Sequence, residues 1–220
     1  MTGKGDNAMK GLLLKDFYNL KGSAKQMIFM VVLMAAWCAF LKNSTFFAMI
    51  TMMYSAMLML TSISYDEAAH FDKYELTLPI TRKDMVRAKY LLLLLLILAG
   101  LLIGTAGSFI IRSLVKGMDN LLVEDMLSIA SVACFFLMAF SIMLPIILKI
   151  GVEKARMILV VVYIGLFGAM AGIVYIAKDL GIALTDRLVA TGVAVGAAVT
   201  VLVVIGSYLA ALKVVREKEW

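Results

Sequence analysis

The side chains that could perform bond chemistry are few and scattered in this chain of 220 residues. Its single histidine, His70, lacks the partners that a zinc site or a histidine-activated serine requires. No G-x-x-x-x-G-K-[ST] loop occurs, so this device for binding ATP phosphates is missing. Cys38 and Cys134 lie in apolar runs and are expected to be small buried side chains. We therefore predict no catalytic residue, no metal site and no cofactor bound by this chain.

The segment from 66 to 81 has the chemistry of a docking helix. Phe71, Tyr74 and Leu78 form one apolar stripe at helical spacing. The polar residues of the segment are mixed in charge: Asp66, Glu67, Asp72, Lys73 and Glu75. A helix that only lies on lipid favours Lys and Arg. The mixed charges of this segment therefore favour docking in a groove of another protein over a position on lipid. Pro79 should end this helix, and Thr81 should N-cap the next one at Arg82.

Composition places this segment beside a membrane. Hydrophobic residues make up 63% of the chain and charged residues 16%, against roughly 45–50% and about 25% in soluble domains. A helix needs about 20 apolar residues to cross the bilayer core. Six runs without charge or histidine qualify or nearly qualify: Gln26–Leu41, Asn43–Tyr65, Tyr90–Ile111, Met126–Leu148, Met157–Ala177 and Leu188–Leu212. We predict an all-α polytopic membrane protein whose six transmembrane helices occupy one domain, 26–212.

The positions of the basic residues predict the topology. The segments 1–25, 66–89, 149–156 and 213–220 hold 16 of the 21 Lys and Arg residues. The positive-inside rule puts these segments, and therefore both termini, in the cytoplasm. The net charge of +6 thus reflects membrane orientation, and we expect no nucleic-acid partner.

The N-terminal segment predicts an amphipathic helix before the first span. Its apolar positions are Met9, Leu12, Leu13, Phe17 and Leu20, and its opposite polar positions are Lys10, Lys15, Asp16 and Asn19. Through residues such as Leu13 and Phe17, this helix is expected to lie in the cytoplasmic interface of the membrane. The alternative is a short cytosolic helix with a hydrophobic face.

The predicted spans contain no ionisable residue, which disfavours a proton- or ion-coupled carrier. The second span is rich in methionine, and Met49, Met53 and Met57 are candidates for contact with varied apolar substrates. Ordinary helix packing or lipid contact is the alternative for these residues. In the last span, Gly192 and Gly196 form a close-packing pattern that is predicted to contact another helix of the same chain, with dimerisation as the alternative.

Three blocks of the sequence resemble the cytoplasmic segments of small type-two ABC transporter permeases. The first block reads Glu67-x-x-x-Phe71-x-x-Tyr74, then Leu78-Pro79-Ile80-Thr81-Arg82-Lys83, then Val86-x-x-Lys89-Tyr90. The second, similar to the elbow helix of that family, reads Leu14-Lys15-Asp16-Phe17. The third, similar to its second inner loop, reads Lys149-x-Gly151-x-Glu153-Lys154-x-Arg156. The connection of 178–187 is shorter than in many relatives, which bear re-entrant helices there.

The resemblance implies a function as the membrane subunit of an ATP-driven exporter. Two ATPase subunits would bind ATP and Mg, and a second permease, identical or paralogous, would complete the pathway. The ATPase-coupling residues implied by the resemblance are Glu67, Phe71, Lys73, Tyr74, Glu153 and Lys154. The chain looks most like exporters of amphipathic, phenol-soluble-modulin-like or antimicrobial peptides, which implies a bacterial plasma membrane. The alternative is a membrane immunity or scaffold protein that needs no ATPase.

Overall fold

The computed structural model describes residues 3–22, 24–69, 71, 81–115, 123–179 and 186–217. Within these ranges every regular element is an α-helix, and seven helices follow one another: α1 (Gly3–Lys21), α2 (Ala24–Phe40), α3 (Ser44–Ala68), α4 (Arg82–Leu114), α5 (Val123–Ile150), α6 (Val152–Asp179) and α7 (Asp186–Glu217). The prediction of an all-α fold is confirmed.

The long apolar runs become helices of membrane-spanning length. Helices α3, α4, α5, α6 and α7 are each long and apolar enough to cross a bilayer. Helix α2 has only 17 residues, and it is bent by 66° relative to α1. Five helices in the described part therefore qualify as spans, or six if α1 and α2 together form one span.

Helices α3 and α4 pack closely because glycines of α4 face α3. A Cβ atom added at Gly100 would lie 2.7 Å from Ser55 Oγ, and one added at Gly104 would lie 3.0 Å from the Cα of Ala48. A Cβ at Gly107 would overlap the ring of Phe47. Small residues at this spacing allow two helix backbones to approach each other within a membrane.

Helix α5 lies at the centre of the bundle beside α3. This helix packs most extensively against α7 and also against α3, α4 and α6. Its side chains Phe140, Met143 and Leu144 are fully buried. By contrast, only 11% of the apolar, membrane-spanning stretch of α6 is buried within the chain, and the same is true of α7. The corresponding share for α3 is 61%. Helices α6 and α7 therefore present wide apolar surfaces, as expected where a helix faces lipid or another membrane subunit.

The predicted role of the glycines in α7 is wrong. In the part of the chain that the structure describes, a Cβ added at Gly192 or Gly196 would meet nothing within 4 Å, so neither glycine packs against another described helix. Helix α7 instead turns Ser207, Ala211 and Val215 towards the bundle, where they are buried. The spacing of glycines shows that a helix has a smooth face but does not show which way the face points.

Two helix boundaries follow from local chemistry. Thr81 N-caps α4 in a capping box with Asp84, which confirms the predicted helix start at Arg82. Gly151 is the single residue between α5 and α6, and its φ of +86° is in the region that glycine adopts without strain.

Candidate functional site

A set of charged and polar side chains, all buried or half-buried, lies where α1, α3 and α4 meet, and we call it the Lys89 cluster: Lys15, Asp16, Asn19, Ser62, Asp66 and Lys89. Lys89 Nζ donates to Asp66 Oδ2 at 2.6 Å and to Asp16 Oδ1 at 3.0 Å. Lys15 Nζ donates to Asp66 Oδ1 at 2.7 Å. Two ammonium groups thus face two carboxylates, so the charges of this group balance. We call this end of the bundle the Lys89 end.

The two carboxylates of the Lys89 cluster receive further hydrogen bonds. The Ser62 hydroxyl donates to Asp16 at 3.1 Å, and the Asn19 amide donates to Asp66 at 3.4 Å. Asp16 is only 1% exposed. A buried carboxylate is tolerated when it is paired and hydrogen-bonded, and these bonds fix α1 to α3 and α4.

This geometry corrects the predicted faces of α1. Of the four residues assigned to its polar face, Lys15, Asp16 and Asn19 point towards α3 and α4, whereas Lys10 is exposed. On the predicted apolar face, Leu12 and Leu20 are buried and Leu13 is half-buried, whereas Phe17 is 46% exposed. Charged partners on other helices turned the polar face inward, and no pattern within α1 could reveal them.

Two of the predicted coupling residues have partners inside the chain. The ammonium of Lys15 lies 3.7 Å from the ring centroid of Phe71, a cation–π contact. The carboxylate of Glu67 accepts from the backbone N–H of Val152, at 2.9 Å to Oε1 and 3.1 Å to Oε2. Of the other residues predicted in this segment, Lys73 and Tyr74 lie outside the described residues.

The remaining two predicted coupling residues, Glu153 and Lys154, lie in the first turn of α6. Both side chains are exposed. Because Glu67 binds Val152, the end of α3 adjoins this turn. The structure therefore brings together two segments that are far apart in the sequence, and it leaves Glu153 and Lys154 at their surface.

A second polar cluster lies at the opposite end of the bundle, which we call the Arg112 end. Arg112 Nη2 lies 2.8 Å from Asp125 Oδ2, and the Thr45 hydroxyl donates to Asp125 Oδ1 at 2.8 Å. Arg112 also donates to the hydroxyl of Ser44. This cluster joins the start of α3, the end of α4 and the start of α5. This cluster was not predicted from the sequence, although a basic residue in the last turn of one helix and an acidic residue at the start of the next were a signal for it.

An apolar cavity of about 690 Å³ lies between α2, α3, α5 and α6. Five methionines line it: Met30, Met34, Met49, Met53 and Met170. The hydroxyls of Thr51 and Ser131, which also face the cavity, are already bonded to carbonyls of their own helices at 2.8 Å. The cavity is therefore suited to an uncharged apolar group.

The three methionines predicted to face substrate are not equivalent. Met49 and Met53 line the cavity, whereas Met57 is not among its lining residues. Met53 and Met57 are similarly exposed, at 41% and 37%. The sequence showed a methionine-rich helix but could not separate its faces, because the cavity is completed by residues of α2, α5 and α6.

The described part of the chain shows no arrangement suited to metal chemistry. Across its helices, no group of three or more His, Cys, Asp and Glu side chains could hold a metal ion. Cys38 is buried and Cys134 is half-buried, and both are free thiols. What the arrangement offers is an apolar cavity, helices joined by polar clusters, and a charged surface at one end.

Comparison with known proteins gives one finding. Residues 11–216 match the family model described as ABC-2 family transporter protein. The match begins inside α1 and ends in the last turns of α7, so it includes both polar clusters and the cavity. Neither the curated proteins nor the solved structures contain a match to the chain.

Proposed function

Because the chain belongs to the ABC-2 transporter family, we propose that it is the permease subunit of an ATP-driven exporter of amphipathic peptides. The family match over residues 11–216 supports the permease role, and the apolar cavity lined by methionines supports an amphipathic substrate. Permeases of this family are membrane transport components, and the five long apolar helices of the chain agree with an integral multi-pass protein. The family also implies partnership with an ABC ATPase subunit, which supplies ATP hydrolysis.

The proposed complex contains two permease subunits, identical or paralogous, and two ATPase subunits that bind ATP and Mg. In each permease, α2 would be the remaining span, and α1 would lie at the cytoplasmic face of the membrane. The Lys89 end would face the cytoplasm of a bacterial cell, with both termini, because 16 of the 21 Lys and Arg residues lie on the segments assigned to that side.

The ATPase is proposed to dock on the segment after α3 and on the first turn of α6. Phe71 and Tyr74 would anchor the contact, and Glu67, Lys73, Glu153 and Lys154 would surround it. The exposure of Glu153 and Lys154 supports this role. So does the position of Glu67 and Phe71, because both contact residues that connect to several helices of the bundle.

Replacement of Phe71 by Ala tests the docking surface. Truncation of a buried aromatic anchor typically costs about 2 kcal/mol or more, whereas a charge at the rim of an interface contributes little. We expect Phe71→Ala to reduce co-purification of the ATPase and peptide-stimulated ATP hydrolysis far more than the control Lys73→Ala. Unchanged values for Phe71→Ala in both measurements would end the docking assignment.

The alternative function, a membrane immunity or scaffold protein, predicts that the wild-type chain binds no ABC ATPase. Such a protein needs no ATPase. Isolation of the wild-type chain in mild detergent, followed by identification of bound proteins, separates the two functions. Recovery of an ABC ATPase supports the permease, and its absence under conditions that keep the chain folded favours the alternative.

We place the apolar side chains of the substrate against Met49 and Met53. The volume of about 690 Å³ falls within the 300–1,000 Å³ that is usual for sites of small ligands, so the cavity would take a few side chains at a time. The adaptable side chains of methionine suit apolar surfaces of varied shape.

A pair of tryptophan substitutions on α3 tests this site. Met53→Trp would fill part of the cavity, whereas Met57→Trp adds the same bulk one turn away. A loss of about 1.4 kcal/mol of binding would raise the half-maximal peptide concentration for ATPase stimulation about tenfold. We expect this change for Met53→Trp and little change for Met57→Trp, with a synthetic amphipathic helical peptide of Leu and Lys as the probe. Equal effects of the two substitutions would contradict the assignment.

A further inference from the structure

The last turn of α3 is attached to the first residue of α6 by one side chain. Helix α3 ends at Ala68, and the preceding residue, Glu67, accepts the N–H of Val152 with both carboxylate oxygens. The first N–H groups of a helix have no partner within that helix. A carboxylate is also favoured there by the helix dipole. Glu67 therefore acts as a cap supplied to α6 from another helix.

The junction between α5 and α6 is built around this carboxylate. A Cβ atom at Gly151 would lie 3.2 Å from Glu67 Oε1, so the glycine leaves room for the side chain. The N–H of Gly151 donates to Ile147 of α5 at 2.8 Å, and its carbonyl accepts from Ala155 of α6 at 3.2 Å. Only one residue separates the two helices, and it is hydrogen-bonded to both of them. We therefore expect α6 to move with Val152 when Val152 is displaced.

The neighbouring residue, Asp66, holds the other side of the α3 terminus. Its carboxylate binds Lys89 of α4 and Lys15 of α1. Asp66 thus connects the end of α3 to α1 and α4, and Glu67 connects it to α6. Direct packing between α3 and α6 is slight, and Arg156 adds only one exposed hydrogen bond, to Ser64 at 3.2 Å. The Glu67 carboxylate is a part-buried polar link between these two helices.

Helix α6 also forms a wall of the apolar cavity, because Phe167 and Met170 line it. We propose that Glu67 is a positioning residue that transmits movement of the α3 terminus to α6 and thereby to this wall. The proposal rests on the proposed function, since the ATPase is the source of the movement. It assigns Glu67 a role inside the permease that differs from direct contact with the ATPase.

The first measurement asks whether the cap exists, and it needs no transport activity. Hydrogen exchange of backbone amides in the first turn of α6 is compared between the wild-type chain and Glu67→Ala in detergent. Loss of the cap should raise exchange at Val152 and its neighbours at least about tenfold, while amides in the middle of α5 stay protected. Unchanged exchange at the start of α6 would overturn the proposal.

The second measurement is the coupling ratio, the number of peptides exported per ATP hydrolysed. The complex of permease and co-purified ATPase is reconstituted in vesicles with a synthetic amphipathic helical peptide of Leu and Lys. Because Glu67 lies at the rim of the proposed docking surface, where a charge contributes little, we expect Glu67→Ala to reduce ATPase binding no more than Lys73→Ala does. We expect its coupling ratio to fall at least about tenfold. Glu67→Gln, which keeps a neutral acceptor, should fall between this variant and wild type. Glu217→Ala, which removes an exposed carboxylate at the end of α7, is the control and should match wild type.

The outcomes separate this proposal from the proposed function. If the wild-type chain binds no ATPase, the proposed function is wrong, and the coupling role of Glu67 is wrong with it. If the wild-type complex exports peptide and Glu67→Ala keeps its coupling ratio despite faster exchange in α6, only the positioning role is wrong. The proposal is supported if Glu67→Ala lowers the coupling ratio, Glu67→Gln lowers it less, and both variants still bind the ATPase. Retained ATPase binding excludes a general loss of stability as the cause.

Discussion

At the scale of single residues, the Lys89 cluster shows how buried charge organises this chain. Lys89 forms ion pairs with both Asp16 and Asp66, so its ammonium group reduces the repulsion between the two carboxylates. Removal of one partner from a buried ion pair is far more costly than the net contribution of the pair, because the other charge stays buried. The cluster therefore tolerates loss of a whole charge pair better than loss of Lys89 alone.

We predict that Lys89→Met destabilises the purified chain by about 3–5 kcal/mol, the usual cost of breaking a buried pair. The double variant Lys89→Met with Asp66→Asn should recover part of this loss, because it removes one charge of each sign. Lys213→Met, a substitution of an exposed lysine in α7, is the control. The measurement is unfolding in detergent followed by circular dichroism. A double variant less stable than the single one would refute the electrostatic explanation.

The residues of the candidate site were predictable where the signal is local. The cap at Thr81 could be predicted because Thr81 and Asp84 are three residues apart and form a known box. The contacts of Asp16 with Lys89 and of Glu67 with Val152 join residues 73 and 85 positions apart. Periodicity within one helix carries no information about such partners. The sequence therefore predicted a role for Glu67 but not its contact with Val152.

At the scale of helices, two glycine patterns of the same form have different surroundings. Gly100 and Gly104 of α4 lie against α3, whereas Gly192 and Gly196 of α7 have open space around them. The apolar runs predicted the helices themselves, because hydrophobic length is a property of one segment. The pairing of the helices depends on which glycine-rich face lies against another helix, and this is not a property of one segment. The prediction of packing within the chain therefore fell on Gly192 and Gly196 instead of Gly100 and Gly104.

We predict that Gly104→Val destabilises the chain by about 1–3 kcal/mol, the usual cost of excess volume at a packed site. The Cβ added at Gly104 would lie 3.0 Å from the backbone of Ala48, which cannot rotate away. Gly196→Val introduces the same side chain into open space and should leave stability nearly unchanged. Thermal unfolding of both variants in one detergent checks this expectation. Similar losses for the two variants would contradict the packing seen between α3 and α4.

At the scale of the whole molecule, the two polar clusters lie at opposite ends of the α3–α4 pair. Between them the faces of the helices are apolar, apart from hydroxyls such as those of Ser55 and Ser108. This arrangement is expected of a bundle whose middle lies in hydrocarbon and whose ends lie near water. The charge distribution predicts which end faces the cytoplasm, and that orientation is open to a direct test.

We predict that a thiol placed at Asp179 reacts with a membrane-impermeant maleimide in intact cells, whereas a thiol at Lys154 does not. Both positions are exposed in the structure, so access to the membrane face is the main difference between them. Cys38 and Cys134 are first replaced by Ser to remove native thiols. Labelling of both thiols in opened cells is the control. Labelling at Lys154 alone in intact cells would reverse the topology and remove the docking surface from the cytoplasm.

The one-residue junction at Gly151 also constrains how the chain is made. A ribosome-bound chain that has just placed α5 in the bilayer has no loop to extend before α6 follows, so it must turn back at once. Lys149 and Lys154, on either side of the turn, then remain on the same membrane face. We therefore expect α5 and α6 to enter the bilayer as one hairpin during synthesis, and we expect a tag or protease site inserted at Gly151 to separate two helices that are inserted together.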